Sequence, residues 1–143
     1  CELSTRMNRT SNYRKIQIKS PNDIANLLME ELRFEKKEIV KVVIINNKNI
    51  ILKILDVAIG SGNYSSLNIR NILSETIKMD APKMILVHNH PSGDPTPSKK
   101  DLEVTETLRN AAKILNIELL DHIIIGNMSY MSIMQYKIRQ NNS

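Results

Sequence analysis

The spacing of apolar residues changes several times along this chain, and each change marks an element. Residues 1–19 are polar and basic, with Tyr13, Ile16 and Ile18 alternating as in a short edge strand. Ser20-Pro21 has the form of an N-cap followed by a first helical residue. Ile24, Leu27, Leu28 and Leu32 then recur at helical spacing up to about Arg33. A charged turn, Glu35-Lys36-Lys37-Glu38, leads into the β-branched run 39–45, which suits a strand covered on both faces. Asn46-Asn47-Lys48-Asn49 reads as a hairpin loop, 50–59 as a second strand, and Gly60-Ser61-Gly62-Asn63 as a flexible connection. Ser65 or Ser66 caps a helix to about Met79, with Leu67, Ile69, Ile72, Leu73 and Ile77 inward, and Asp80-Ala81-Pro82 stops it. A strand over 83–89 precedes a proline-rich loop and a helix from about 99 to 116, with Leu102, Leu108, Ala112 and Leu115 inward. A buried strand at 117–125, a turn at Gly126-Asn127 and a short strand at 129–133 complete the pattern, and the chain beyond Gln135 is expected to fray.

Strands alternating with helices after an early hairpin predict an α/β fold, a mixed β-sheet flanked by helices. The pattern divides the chain into a basic arm (1–19), one domain (20–135) and a polar tail (136–143). Composition adds limits. The 143 residues, 41% of them hydrophobic, suffice for one buried core. No apolar run approaches the ~20 residues of a membrane span, and no signal-peptide pattern stands at the start, so no membrane partner is expected. Cys1 is the only cysteine, which precludes an intramolecular disulfide and fits a cytoplasmic protein. Of the net charge of +5, +4 lies in residues 1–20. Such an arm can contact phosphates. The body offers no aromatic platform for bases, having no Trp and only Phe34 with four tyrosines. An edge strand near either terminus could pair two copies into a homodimer.

The chemistry gathers in His88-Asn89-His90-Pro91-Ser92-Gly93-Asp94-Pro95-Thr96-Pro97-Ser98-Lys99-Lys100-Asp101. Residues two apart on a strand face the same side, so His88 and His90 can converge. Pro91 ends the strand, Ser98 reads as an N-cap, and Asp101 falls in the first helical turn. Two imidazoles and a carboxylate make a hydrolytic zinc set, leaving a fourth position for water. Ser-x-x-Asp is also an ordinary capping box, and spacing alone does not separate the two readings of Asp101.

This stretch resembles the JAMM (MPN+) metalloprotease signature, His-x-His-Pro, six residues, Ser, two residues, Asp. More narrowly it resembles the bacterial RadC family, long labelled a DNA repair family. The likeness continues through Leu120-Asp121-His122-Ile123-Ile124-Ile125-Gly126 and Tyr130-Met131-Ser132, and covers roughly residues 20–135. It implies a cytidine-deaminase-like JAMM/MPN fold with Zn2+ at its centre, held by His88, His90 and Asp101. It also implies a glutamate general base near the start of an early strand. The residues alone do not choose among Glu31, Glu35 and Glu38; the resemblance favours Glu38, with Glu35 second. Ser98 matches the JAMM serine, which implies a hydrogen bond to the oxyanion, beside its N-cap role. Asp121-His122 could orient a ligand, but His122 reads first as a hydrogen-bonded structural residue outside the metal set. Gly93 is expected to relieve a tight turn, and Asp94 to cap the loop. RadC-like proteins generally carry a helix-hairpin-helix region ahead of this domain, so a chain beginning Cys-Glu-Leu reads as a fragment.

Three functions follow in order of support. The first is a zinc-dependent peptidase or isopeptidase acting on an amide bond, and no position departs from the ligand pattern. The second is a DNA repair or recombination accessory protein, binding DNA through the basic arm or an upstream region. The third is a metal-stabilised interaction module without turnover.

Overall fold

A computed structural model describes residues 16–57 and 67–141. Its elements are α1 (Pro21–Leu32), β1 (Val40–Ile45), β2 (Ile51–Val57), α2 (Ile69–Lys78), β3 (Lys83–Asn89), α3 (Lys99–Ile114), β4 (Glu118–Ile125), β5 (Tyr130–Ser132) and α4 (Ile133–Asn141). The strands form one five-stranded sheet in the order β2-β1-β3-β4-β5. Only the β3–β4 pair is parallel, and α3 supplies the crossover that a parallel pair requires. The remaining pairs are antiparallel. The α/β class and mixed sheet expected from the sequence are what the chain adopts.

Every residue of β1 is buried, as are Met84 to Asn89 of β3, because helices cover both faces of these central strands. On one face Val40, Val42, Ile44, Met84, Leu86 and Leu119 pack with Ile72 and Leu73 of α2 and with Leu108 and Ala112 of α3. On the other, Val43, Ile45, Ile85, Val87, Ile123 and Ile125 pack with Ile24, Ala25, Leu28 and Leu32 of α1. Among the described residues the sheet edge at β2 takes one isolated bridge, from Gln17 to Ile50, so of the short edge strand expected from Tyr13, Ile16 and Ile18 only this bridge between the two isoleucines is seen. Tyr13 and most of the basic arm lie outside the described residues, as does the connection 58–66.

Three expectations are corrected. First, α2 starts at Ile69 and its cap is Asn68, whose Oδ1 accepts the Asn71 N–H at 3.0 Å; Ser65 and Ser66 lie outside the described residues. Second, Ile77 is 53% exposed and Leu115 46% exposed. Thr76 takes the inward position instead, spending its hydroxyl on the Ile72 carbonyl at 2.8 Å. Leu115 stands at the end of α3, and the turn through Asn116 (φ 59°) delivers Ile117 to the core in its place. Third, residues 136–141, expected to fray, are helical as part of α4. The Asp121 carboxylate accepts the Met134 N–H at 3.2 Å, and Ser132 Oγ accepts the Gln135 N–H at 3.3 Å, so the first turn of α4 is capped from within the fold.

Candidate metal centre

The site lies where β3 and β4 both end. Strand alternation sets the sides: Met84, Leu86 and His88 face α2 and α3, whereas Ile85, Val87 and Asn89 face α1. His88 is fully buried. The chain stays tied to the sheet one step further, through the His90 N–H to the Ile125 carbonyl at 2.9 Å, so His90 falls on the His88 side. The two rings meet edge to face with centroids 4.9 Å apart.

The loop after His90 is fixed by close packing. Gly93 has φ +90°, and its carbonyl accepts the Asn127 N–H at 2.9 Å. A Cβ on Gly126 would lie 2.4 Å from that carbonyl, so only glycine lets the two turns touch. Asp94 Oδ1 accepts the Thr96 N–H at 3.0 Å, which folds the loop towards Ser98.

Ser98 and Asp101 form the reciprocal capping box of α3. Ser98 Oγ accepts the Asp101 N–H at 3.1 Å, and Asp101 Oδ2 accepts the Ser98 N–H at 2.8 Å. The same carboxylate, 3% exposed, addresses both histidines. Its Oδ1 lies 3.2 Å from His88 Nε2 and its Oδ2 lies 3.0 Å from His90 Nε2. The capping reading and the site reading of Asp101 are thus compatible, because the cap aims the carboxylate. Ser98 is likewise not divided between roles. Capping uses an oxygen lone pair, and its O–H remains a donor.

Glu38 is half-buried, and one ligand atom each of Glu38, His88 and His90 lie within 4.8 Å of one another. It is placed by Asn89, which the sequence reading passed over. The Asn89 Oδ1 accepts the Ile39 N–H at 2.6 Å, and its Nδ2 donates to the Lys37 carbonyl at 3.0 Å. The residues on either side of Glu38 are therefore clamped to the strand that carries the histidines. Glu31, by contrast, pairs with Lys41 at 3.1 Å.

The local electrostatics favour a cation. Burial pushes the Asp101 carboxyl upward, but hydrogen bonds from His88 and His90 prevail and hold it well below the usual carboxylate range. His90 is raised by its bond to Asp101, against burial, with help from the Asp94 carbonyl and the Glu38 charge. His90 Nδ1 lies 2.9 Å from the Asp94 carbonyl oxygen, which can only accept. Nδ1 therefore carries a proton, and a neutral His90 turns the Nε2 lone pair towards Asp101. Two acceptors 3.0 Å apart need a positive charge between them, a proton or a metal ion. Ligands about 2.0–2.1 Å from a tetrahedral zinc lie roughly 3.3 Å from each other, so the donor set fits such an ion.

Asp121 and His122 point to opposite faces of β4. Asp121 accepts from the Ser132 hydroxyl and the His122 N–H, at 2.5 Å and 2.7 Å, and belongs to the α4 cap. His122 is fully buried with its Nε2 2.7 Å from His88 Nδ1, and burial pushes it well below the ordinary histidine range, so it is neutral. Thr105 completes that contact with Oγ1 2.6 Å from His122 Nδ1. A signal for Thr105 does exist in the sequence. Asp101, Thr105, Leu108 and Ala112 share one helical stripe, and its first two positions are polar.

The mixed five-stranded sheet with helices on both faces is consistent with a JAB/MPN domain. The sequence model of the RadC-like JAB domain matches residues 18–138, and the chain belongs to that family. It is 46% identical over 132 residues to a UPF0758 protein of Alkaliphilus metalliredigens, covering 92% of this chain and 57% of that protein. It is 45% identical over 131 residues to a UPF0758 protein of Clostridium botulinum (strain Hall), covering 92% of this chain and 58% of the relative. The chain thus spans a little over half the length of these curated relatives. Among the described residues no helix is long and apolar enough to cross a membrane.

Proposed function

We propose that this domain is a zinc-dependent hydrolase of amide bonds, acting on a peptide or isopeptide. The observation that supports it most is the commitment of His90 Nδ1–H to a backbone carbonyl, which leaves Nε2 and the Asp101 carboxylate facing one another across a cation-sized gap. In this reading His88, His90 and Asp101 hold the ion. Bound there, zinc would supply Lewis acidity and bring the pKa of water to about 7. Glu38 takes a proton at its carboxylate and returns it to the departing amine, a role for which it needs a hydrogen-bonding distance from the reacting water. Asn89 keeps that carboxylate over the histidines. Ser98 donates its O–H to the oxyanion that develops on the substrate carbonyl while its lone pair continues to cap α3.

The test is hydrolysis of a panel of peptide and isopeptide substrates by wild type, Glu38→Gln and His88→Ala. Cleavage by wild type that falls at least 100-fold in both variants, a loss of about 2.7 kcal/mol in transition-state stabilisation, is the expected result. Cleavage that survives both variants would exclude the assigned roles. The DNA-binding alternative draws on the basic arm, most of which lies outside the described residues.

A further inference from the structure

Behind His88, away from the loop, three buried groups stand in line. His88 Nδ1 is 2.7 Å from His122 Nε2, His122 Nδ1 is 2.6 Å from Thr105 Oγ1, and Thr105 Oγ1 is 2.7 Å from the Asp101 carbonyl oxygen. His88, His122 and Thr105 each have 0% exposure. A neutral imidazole has one N–H and one lone pair, a hydroxyl has a single proton, and a carbonyl only accepts. The two histidine contacts can then be made in two directions, and only the first keeps the Thr105 bond to the Asp101 carbonyl. In the first, Thr105 donates to the Asp101 carbonyl, His122 Nδ1–H donates to Thr105, and His88 Nδ1–H donates to His122. His88 Nε2 is left as a lone pair facing the Asp101 carboxylate. In the second, the Thr105 hydroxyl turns to His122 Nδ1, His122 Nε2–H donates to His88 Nδ1, and His88 Nε2–H donates to Asp101 Oδ1, 3.2 Å away. Both directions hold the same number of protons, and each leaves one contact to Asp101 without a hydrogen: His88 Nε2 to the carboxylate in the first, Thr105 Oγ1 to the backbone carbonyl in the second.

We propose that His122 and Thr105 are positioning residues whose donor direction follows occupancy of the metal site: the second direction without metal, the first with it. The inference rests on the metal reading given above. A metal ligand must present a lone pair, and only the first direction gives His88 Nε2 one. Without the ion, the second direction satisfies the charged Asp101 Oδ1 with a donor, in exchange for the Thr105 bond to the neutral Asp101 carbonyl. The two histidine ligands are therefore prepared differently. His90 is held in its ligating form by the Asp94 carbonyl, which cannot reverse, whereas His88 is backed by an imidazole and a hydroxyl, which can. This explains why a second histidine and a threonine occupy positions that apolar side chains would otherwise fill.

The chain has three histidines, so ring nitrogen resonances can be assigned one by one. The experiment is 15N NMR of histidine-labelled protein with and without zinc, joined to zinc affinity by chelator competition for wild type, Thr105→Val and Thr105→Ser. The expected result is a His122 that passes from the Nε2–H to the Nδ1–H tautomer on zinc binding, although it does not touch the ion. Thr105→Val should bind zinc about 10–100-fold more weakly, and Thr105→Ser should restore the affinity, because it keeps the hydroxyl. Zinc uptake with His122 in one tautomer throughout, or Thr105→Val binding as tightly as wild type, would overturn the inference alone. No zinc uptake by wild type would overturn it together with the metal reading.

Discussion

Two helices of this domain open with the same Ser-x-x-Asp spacing, and only one of the two aspartates reaches histidines. Ser20 and Asp23 begin α1, and Ser98 and Asp101 begin α3. In both, the aspartate accepts the N–H of its serine, at 3.1 Å in α1 and 2.8 Å in α3. The remaining capacity of Asp23 goes to the Lys19 N–H at 2.7 Å, near solvent. That of Asp101 goes to two imidazoles in the interior. The difference lies outside the motif, in the strand each helix start meets. α3 begins against the end of β3, where alternation has placed His88 and His90 on its side, whereas α1 begins beside a single backbone bridge. A capping box supplies an oriented carboxylate, and the neighbouring strand decides whether that carboxylate has chemistry to do.

The comparison can be broken most severely at Asp101. Asp101→Ala should lower zinc affinity by more than the ~10–100-fold that outer partners of a metal ligand contribute, and chelation should then leave its Tm unchanged. Asp101→Asn, which keeps acceptors for the cap, should lose zinc equally while recovering part of the stability; Tm and chelator competition measure both. Next comes Asn89→Ala. It leaves the Ile39 N–H and Lys37 carbonyl without their clamp, so urea unfolding should show a loss of about 1–3 kcal/mol. Hydrolysis should fall at least tenfold while zinc stays bound, because Glu38 loses its support and the ligands do not. Ser98→Ala and Ser20→Ala form a matched pair. Ser98→Ala should cost about 1 kcal/mol as a lost N-cap and slow hydrolysis, whereas Ser20→Ala, which removes a hydroxyl that makes no cap bond, should cost less and leave hydrolysis unchanged. The smallest effect is expected from Asp23→Ala, about 0.3–1.5 kcal/mol in urea unfolding with zinc binding intact.

The sequence revealed the parts of the site that are local. His88, His90, Ser98 and Asp101 lie within one stretch whose strand and cap signals set their directions; Glu38 approaches the two histidines, and Asp101 reaches both of them from its cap on Ser98. It was less informative where position depends on elements that meet only in the fold. Asn89 between the histidines carried no sign that its amide reaches residues 37 and 39, because β1 and β3 are joined only by the folded sheet. Asp121 and His122 looked like one pair, yet strand alternation separates them, one to cap α4 and the other to back His88. The helical end of the chain was missed for the same reason. Its composition is polar, and its stabilising cap comes from Asp121 of β4 and Ser132 of β5.

The most direct test is zinc content by elemental mass spectrometry on wild type, Asp23→Ala, Asp101→Ala and Asp101→Asn, purified alike and supplied with zinc. The account predicts about one zinc per chain in wild type and in Asp23→Ala, and none in either Asp101 variant. Zinc retained by both Asp101 variants, or absent from wild type, would contradict it. The first would make the second capping box as purely structural as the first; the second would remove the metal centre altogether.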